Sequence, residues 1–249
     1  VAFDENGKSY YTEFDIENPA PITPEDIGRG INPCIGYMMP GSNNPEIHVV
    51  WEDNLKIKYR SRTVGGTWGS EETVFGNNSH RPSIEIAGSN VYAVWERLGA
   101  IYYRYAVYTQ NGNHSWTRYT SFTNQHALDY PVLTGSSAMS CVANVNGKGE
   151  IYFWSNPGTG WLGPVNISNS TNTHSEYPHI VHRQTIAGTV AHFTWTENDN
   201  PAYDIRFANH SLGGYDSNED LAFYVAQGGD TLASPFNLKR TGFLQYGAE

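Results

Sequence analysis

The chain of 249 residues carries 25 acidic and 15 basic side chains, a net charge of −10, and is 16% charged and 14% aromatic. That balance argues against a nucleic-acid partner, because phosphate contacts need a basic surface. No apolar run reaches the roughly 20 residues of a membrane-spanning helix. Abundant aromatic residues with 25 glycines and 13 prolines suit short strands joined by turns.

In chain order, "VAFDEN" and "KSYYTEFDI" read as two strands. A repeat then begins. A Pro flanked by apolar residues occurs in "GINPCI", "SHRPSI", "LDYPVL" and "SEYPHI", at Pro33, Pro82, Pro131 and Pro178, with separations of 49, 49 and 47. Each is followed by an apolar run ("IHVVWE", "VYAVWE", "SCVANV", "AHFTWTE") and then a short strand ("IKYRS", "IYYRY", "IYFWS", "IRFAN"). The first three units add a Trp after a Gly-bearing turn, at Trp68, Trp116 and Trp161.

Each unit reads as four strands, the blade of a β-propeller. The units cover about 30–78, 79–127, 128–174 and 175–215. Residues 1–29 with 216–249, where "FNLKR" and "TGFLQYG" read as strands, supply a fifth blade stitched from both ends. The expected fold is therefore an all-β, five-bladed propeller. Pro is expected at the first position of each innermost strand, where a missing N–H costs least. The aromatic residues are expected between blades. Six residues separate Trp51 from Ile57, Trp95 from Ile101 and Val145 from Ile151, which puts Val145 at the Trp position of the third unit. Ten residues separate Trp195 from Ile205, so the fourth unit has a longer loop. Cys34 and Cys141 are 107 residues apart, at different points of the repeat, and read as free buried thiols.

"SRTVGGTW", Ser61 to Trp68, resembles the Asp-box turn of sialidase-like, BNR-repeat propellers, with Thr63 in place of the Asp. "TQNGNHSW" and "SNPGTGW" occupy the same place in the next two units. The chain is thus similar to a degenerate member of that superfamily over about residues 30–210. The resemblance implies the propeller fold. Sialidase chemistry would need an arginine cluster on equivalent inner strands, and Arg29 and Arg81 do not supply one.

Ligand faces of propellers are built from the loops before each inner strand and those joining the second strand to the third. The first set offers His80, Arg81, Asp129, Tyr130, Glu176 and Tyr177. Aromatic rings stack on sugar C–H faces, and charged groups orient hydroxyls. The second set includes "TENDNPAYD", where Glu197, Asp199 and Asp204 offer the oxygen ligands Ca²⁺ prefers. The expected role is a secreted or cell-surface recognition module, non-catalytic, binding a glycan or an extracellular protein, with no obligatory cofactor. One alternative is a glycoside hydrolase or polysaccharide lyase using carboxylates at the ring mouth, Asp129, Glu176 and Glu197, or the entry-loop histidines His80, His126 and His174. Another is a structural repeat domain, with further domains in the same polypeptide.

Overall fold

The computed structural model describes residues 2–13, 23–38, 45–108, 114–135, 138–156, 160–170, 173–185, 188–198, 203–211 and 224–226. The described residues form strands and turns, with no helix. The first sheet holds β1 (Ala2–Glu5), β2 (Lys8–Tyr11) and β3 (Glu25–Arg29). The second runs β4 (Ile31–Met38), β5 (Glu46–Asp53), β6 (Lys56–Thr63) and β7 (Glu72–Phe75). The third runs β8 (His80–Ala87), β9 (Asn90–Arg97) and β10 (Ala100–Tyr108), whose outer edge is shared by β11 (His114–Trp116) and β12 (Thr120–Phe122). The fourth comprises β13 (Ala127–Thr134), β14 (Ala138–Val145), β15 (Lys148–Ser155) and β16 (Leu162–Asn166). The fifth comprises β17 (His174–Thr185), β18 (Gly188–Asn198), β19 (Tyr203–Ser211) and β20 (Tyr224–Ala226).

All five are antiparallel meanders, and the inner strands β4, β8, β13 and β17 lie side by side in succession. This is the all-β propeller. Strand alternation explains how the sheets stack, since neighbouring residues face opposite sides. Val49 and Trp51 face the first sheet with Tyr11 and Ile27, whereas Val50 faces the third with Ala93 and Trp95. Tyr92 and Val94 then meet Leu133, Met139 and Cys141, and Val142 meets Phe193 and Trp195. Each large apolar side chain buried this way contributes about 1.5–3 kcal/mol. Trp68, Trp116 and Trp161 close the outer ends of three of these seams, so the aromatic residues do lie between blades.

The register corrects the alignment of the third unit. Val50, Val94, Ser140 and Thr194 are equivalent, each opposite the residue that follows the inner-strand Pro. Cys141, fully buried and facing the preceding sheet, therefore takes the place of Trp51, Trp95 and Trp195, and Val145 does not. Ten residues then separate Cys141 from Ile151, as they do Trp195 from Ile205. The third and fourth units share a longer hairpin, with added ladder pairs Ala143↔Glu150 and Glu197↔Asp204. The insertion leaves the Val145-to-Ile151 spacing at six because Val145 itself lies four residues past the Trp-equivalent Cys141.

Nor does Pro open the inner strands. It lies inside each of them, at a bulge: the ladder skips between Ile31 and Cys34, His80 and Ser83, Asp129 and Val132, and Glu176 and His179. A bulge leaves a residue unpaired, so the missing N–H is tolerated there too.

The first sheet occupies the frame in a specific way. Arg60 Nη1 donates to Ile27 O on β3 at 2.8 Å, as the equivalent Arg104 Nη1 donates to Val74 O on β7. β3 is thus an outer strand like β7, and β1 and β2 pack on β4 as β5 and β6 pack on β8. The innermost place of the first sheet carries no strand among the described residues. "FNLKR" and "TGFLQYG" lie outside the described residues, and β20 adds an outer strand to the fifth sheet.

The "SRTVGGTW" turn joins β6 to β7. It fastens the second sheet to the first through Arg62, whose guanidinium lies 4.8 Å from the centroids of both Tyr11 and Trp68. Glu13 and Glu25 pair with it at 2.8 and 2.7 Å.

Candidate functional site

The bulges shape one end of the propeller. The residue before each Pro adopts a left-handed backbone: Asn32 (φ 52°), Arg81 (48°), Tyr130 (48°) and Tyr177 (51°). A residue before Pro is normally extended, and non-glycine residues seldom have positive φ. Recurrence in four units ties the conformation to the bulge itself. All four side chains line one cleft of about 690 Å³, at the end where β4, β8, β13 and β17 begin.

His80, Arg81, Asp129, Tyr130, Glu176 and Tyr177 all line this cleft. Their contacts form two groups. In the first, Glu52 is the hub. Its Oε1 lies 2.9 Å from His80 Nδ1, and its Oε2 accepts from the Arg81 backbone N–H at 3.2 Å and from Asn32 Nδ2 at 3.3 Å. Arg81 Nη1 donates to Asp129 Oδ2, and the guanidinium lies 4.1 Å from the Tyr130 ring centroid. Tyr130 meets Tyr177 edge-on, with centroids 5.4 Å apart. Asp129 Oδ1 accepts from the Tyr130 N–H at 2.8 Å, which fixes the carboxylate against the bulge.

The second group centres on His174. Gly149 N–H donates to its Nδ1 at 2.9 Å, so the proton of the neutral ring is on Nε2, which faces Glu176 Oε1 at 2.6 Å. Gly149 is required there, because a Cβ would come within 2.3 Å of Ser175 O. His80 and His174 thus share the cleft, each held by a carboxylate; His126 is not among the residues lining it.

Asn32 and His174, from the loops before the inner strands, and Glu52 and Glu96, from the loops joining the second strand to the third, also line the cleft. Glu52 and Glu96 did carry a signal. Each directly follows a repeated Trp, in "VVWE" and "AVWE", so it leaves the buried face that the Trp occupies and begins the rim. Glu96 Oε1 accepts the Gly99 N–H at 2.8 Å, which holds the third-sheet hairpin beside the cleft.

Glu197 and Asp204 lie elsewhere. They face each other across the fifth-sheet ladder, each 6% exposed, with Arg206 at 3.5 Å from Glu197 and 3.4 Å from Asp204. Glu197 also accepts from Trp195 Nε1 at 3.1 Å, from Ser170 Oγ at 2.9 Å and from Thr173. This carboxylate is occupied by protein donors and does not join Asp129 and Glu176 in the cleft. Asp199 lies outside the described residues. Among the described residues, no group of three or more His, Cys, Asp or Glu is placed to hold a metal ion.

No protein-family model matches the chain, and no curated protein matches it. Solved structures similar to it include a mutant of the GH43 protein BlXynB from Bacillus licheniformis, with a TM-score of 0.42 at 12% identity over 74% of this chain and 40% of that one. Prolyl oligopeptidase B from Galerina marginata gives 0.46 at 12% identity over 88% and 32%. A protein from Lactobacillus plantarum gives 0.46 at 10% over 91% and 81%. The chain spans less than half of the first two, and no activity passes from them to it. No helix of the described residues is long and apolar enough to cross a membrane.

Proposed function

We propose that this propeller is a secreted or cell-surface recognition module that binds a glycan in the cleft without cleaving it. The observation that carries the reading is the chemistry of the cleft. Tyr177 is 52% exposed beside Tyr130 and is flanked by hydrogen-bonding groups of two sheets. An exposed ring next to fixed acceptors matches the two sides of a sugar, its C–H face and its hydroxyl edge. Glu52, Glu96, Asp129 and Glu176 each already accept hydrogen bonds from protein donors. That suits rigid acceptors, whereas glycoside cleavage needs one carboxyl that gives up a proton while a second acts as base or nucleophile.

A hydrolase is the second reading, because Asp129 and Glu176 come from neighbouring sheets into the same cleft. A glycan array probed with the wild-type chain and with Tyr177→Ala tests binding at the cleft, and the length of a bound sugar after incubation separates recognition from hydrolysis. A set of sugars bound by wild type and lost in the variant supports recognition at the cleft. A blank array refutes the glycan reading.

A further inference from the structure

The cleft already holds a cation. The Arg81 guanidinium lies over the Tyr130 ring at 4.1 Å and reaches Asp129 with Nη1. An aromatic face beside a carboxylate is how proteins seat ammonium and guanidinium groups. Here the occupant is tethered by its own backbone, and both halves of the pair are open to solvent, with side-chain exposures of 38% for Arg81 and 35% for Asp129. The seat can therefore be exchanged with a ligand without unpacking a core.

The surrounding charge has the same preference. Glu52, Glu96, Asp129 and Glu176 line the cleft against Arg81 alone, apart from the two histidines. Four carboxylates against one guanidinium leave three negative charges when His80 and His174 are neutral, a field that attracts cations and repels uronate or sialate ligands.

The repeat shows that Arg81 is not needed to build the cleft. Its counterpart in the second sheet is Asn32, in the same left-handed conformation before the same Pro (φ 52° against 48°). The bulge needs a residue that tolerates positive φ, and Asn does so more readily than Arg.

We infer that the glycan of the proposed function is recognised through a protonated amino group, which displaces the Arg81 guanidinium from its place between Tyr130 and Asp129. Resting on that reading, this assigns the ligand class as an amino sugar and makes Arg81 a tethered competitor, a specificity-determining residue whose removal strengthens binding. Arg81 swings outward as the amine enters, and no covalent bond changes.

The test compares a glucosamine tetrasaccharide with its fully N-acetylated counterpart, which differs in charge but not in linkage. Calorimetry is run at about pH 7, above the ordinary histidine value of about 6.5 and below the range near 7.7 in which comparable amines lose their proton. Wild type is expected to bind the amino form about tenfold tighter, a preference that weakens as salt is raised. Arg81→Asn, which copies the second-sheet residue and keeps the backbone, is expected to tighten binding of the amino form severalfold and leave the acetylated form unchanged. Asp129→Asn is expected to abolish the preference. Equal or tighter binding of the acetylated form overturns the cation seat while leaving glycan recognition intact. Weaker binding of the amino form by Arg81→Asn also overturns it, because Arg81 would then be a ligand contact. If neither sugar binds either protein, the amino-sugar assignment is wrong, and the array then decides separately whether any glycan is recognised.

Discussion

His48 should make the fold acid-sensitive in a defined window. Its side chain has no solvent exposure; Nδ1 lies 2.7 Å from the Tyr59 hydroxyl, and Nε2 lies 3.5 Å from Glu46 Oε2. Burial pushes its pKa down from the usual 6.5 to about 3, with the nearby His114 charge adding to the effect. Between about pH 6.5 and 3 the unfolded chain therefore holds a proton that the folded chain lacks, so stability falls as pH falls through that window. Above it this group has no effect. Each pH unit within the window costs about 1.4 kcal/mol, so acidification from pH 7 to pH 5 removes about 2 kcal/mol through this residue. The assay is urea unfolding at several pH values for wild type and His48→Gln. The two stabilities should converge by about 2 kcal/mol between pH 7 and pH 5. A difference constant to within about 0.5 kcal/mol, the size of ordinary surface effects, would mean that His48 is not held neutral by burial.

Three further outcomes follow from packing. Gly30→Ala should destabilise by more than about 2 kcal/mol, because the new Cβ would come within 2.1 Å of Glu52 O at a φ of 138°; thermal unfolding checks it. Arg104→Ala should cost about 2–4 kcal/mol in chemical denaturation, because the guanidinium donates to Thr117 O at 2.5 Å, Trp116 O at 3.3 Å and Val74 O across the seam. Cys141 is fully buried, whereas Cys34, expected buried from the sequence, is only part-buried; the Cys141 thiol, raised by burial, should resist a thiol reagent in the native protein and react in denaturant, with Cys34 reacting ahead of it. Fast reaction of Cys141 in the folded state, read by peptide mapping of the labelled protein, would contradict its packing at the Trp position.

The propeller was legible because the Pro spacing, the Trp-Glu pairs and the strand alternation repeat together. The mouth was legible for a similar reason: the two residues before each repeated Pro enter the bulge at the same end of every inner strand, so His80, Arg81, Asp129, Tyr130, Glu176 and Tyr177 converge. What sequence spacing could not give was the third unit's register. Cys141 fills a Trp site with a far smaller side chain, and an inserted pair in each hairpin strand moved Val145 into the expected count. The hydrogen bonding of Glu52, as distinct from its place on the rim, was not legible either. It depends on the left-handed turn at Arg81, which presents a backbone N–H to the carboxylate, and a residue before Pro gives no hint of that conformation. The acidic neighbourhood of Glu197 suggests a cation ligand, but Arg206, two residues beyond Asp204, pairs with both acids.

Under the proposed function the cleft recognises a glycan and leaves it intact. The most direct measurement takes an array-selected oligosaccharide and follows its binding by calorimetry and its length by mass spectrometry, with wild type and Tyr177→Ala. Recognition predicts saturable binding that is lost in Tyr177→Ala, with the sugar unchanged after prolonged incubation. Shortened products that vanish in Asp129→Asn or Glu176→Gln would instead make the cleft an active site, and binding that survives Tyr177→Ala would place the ligand elsewhere.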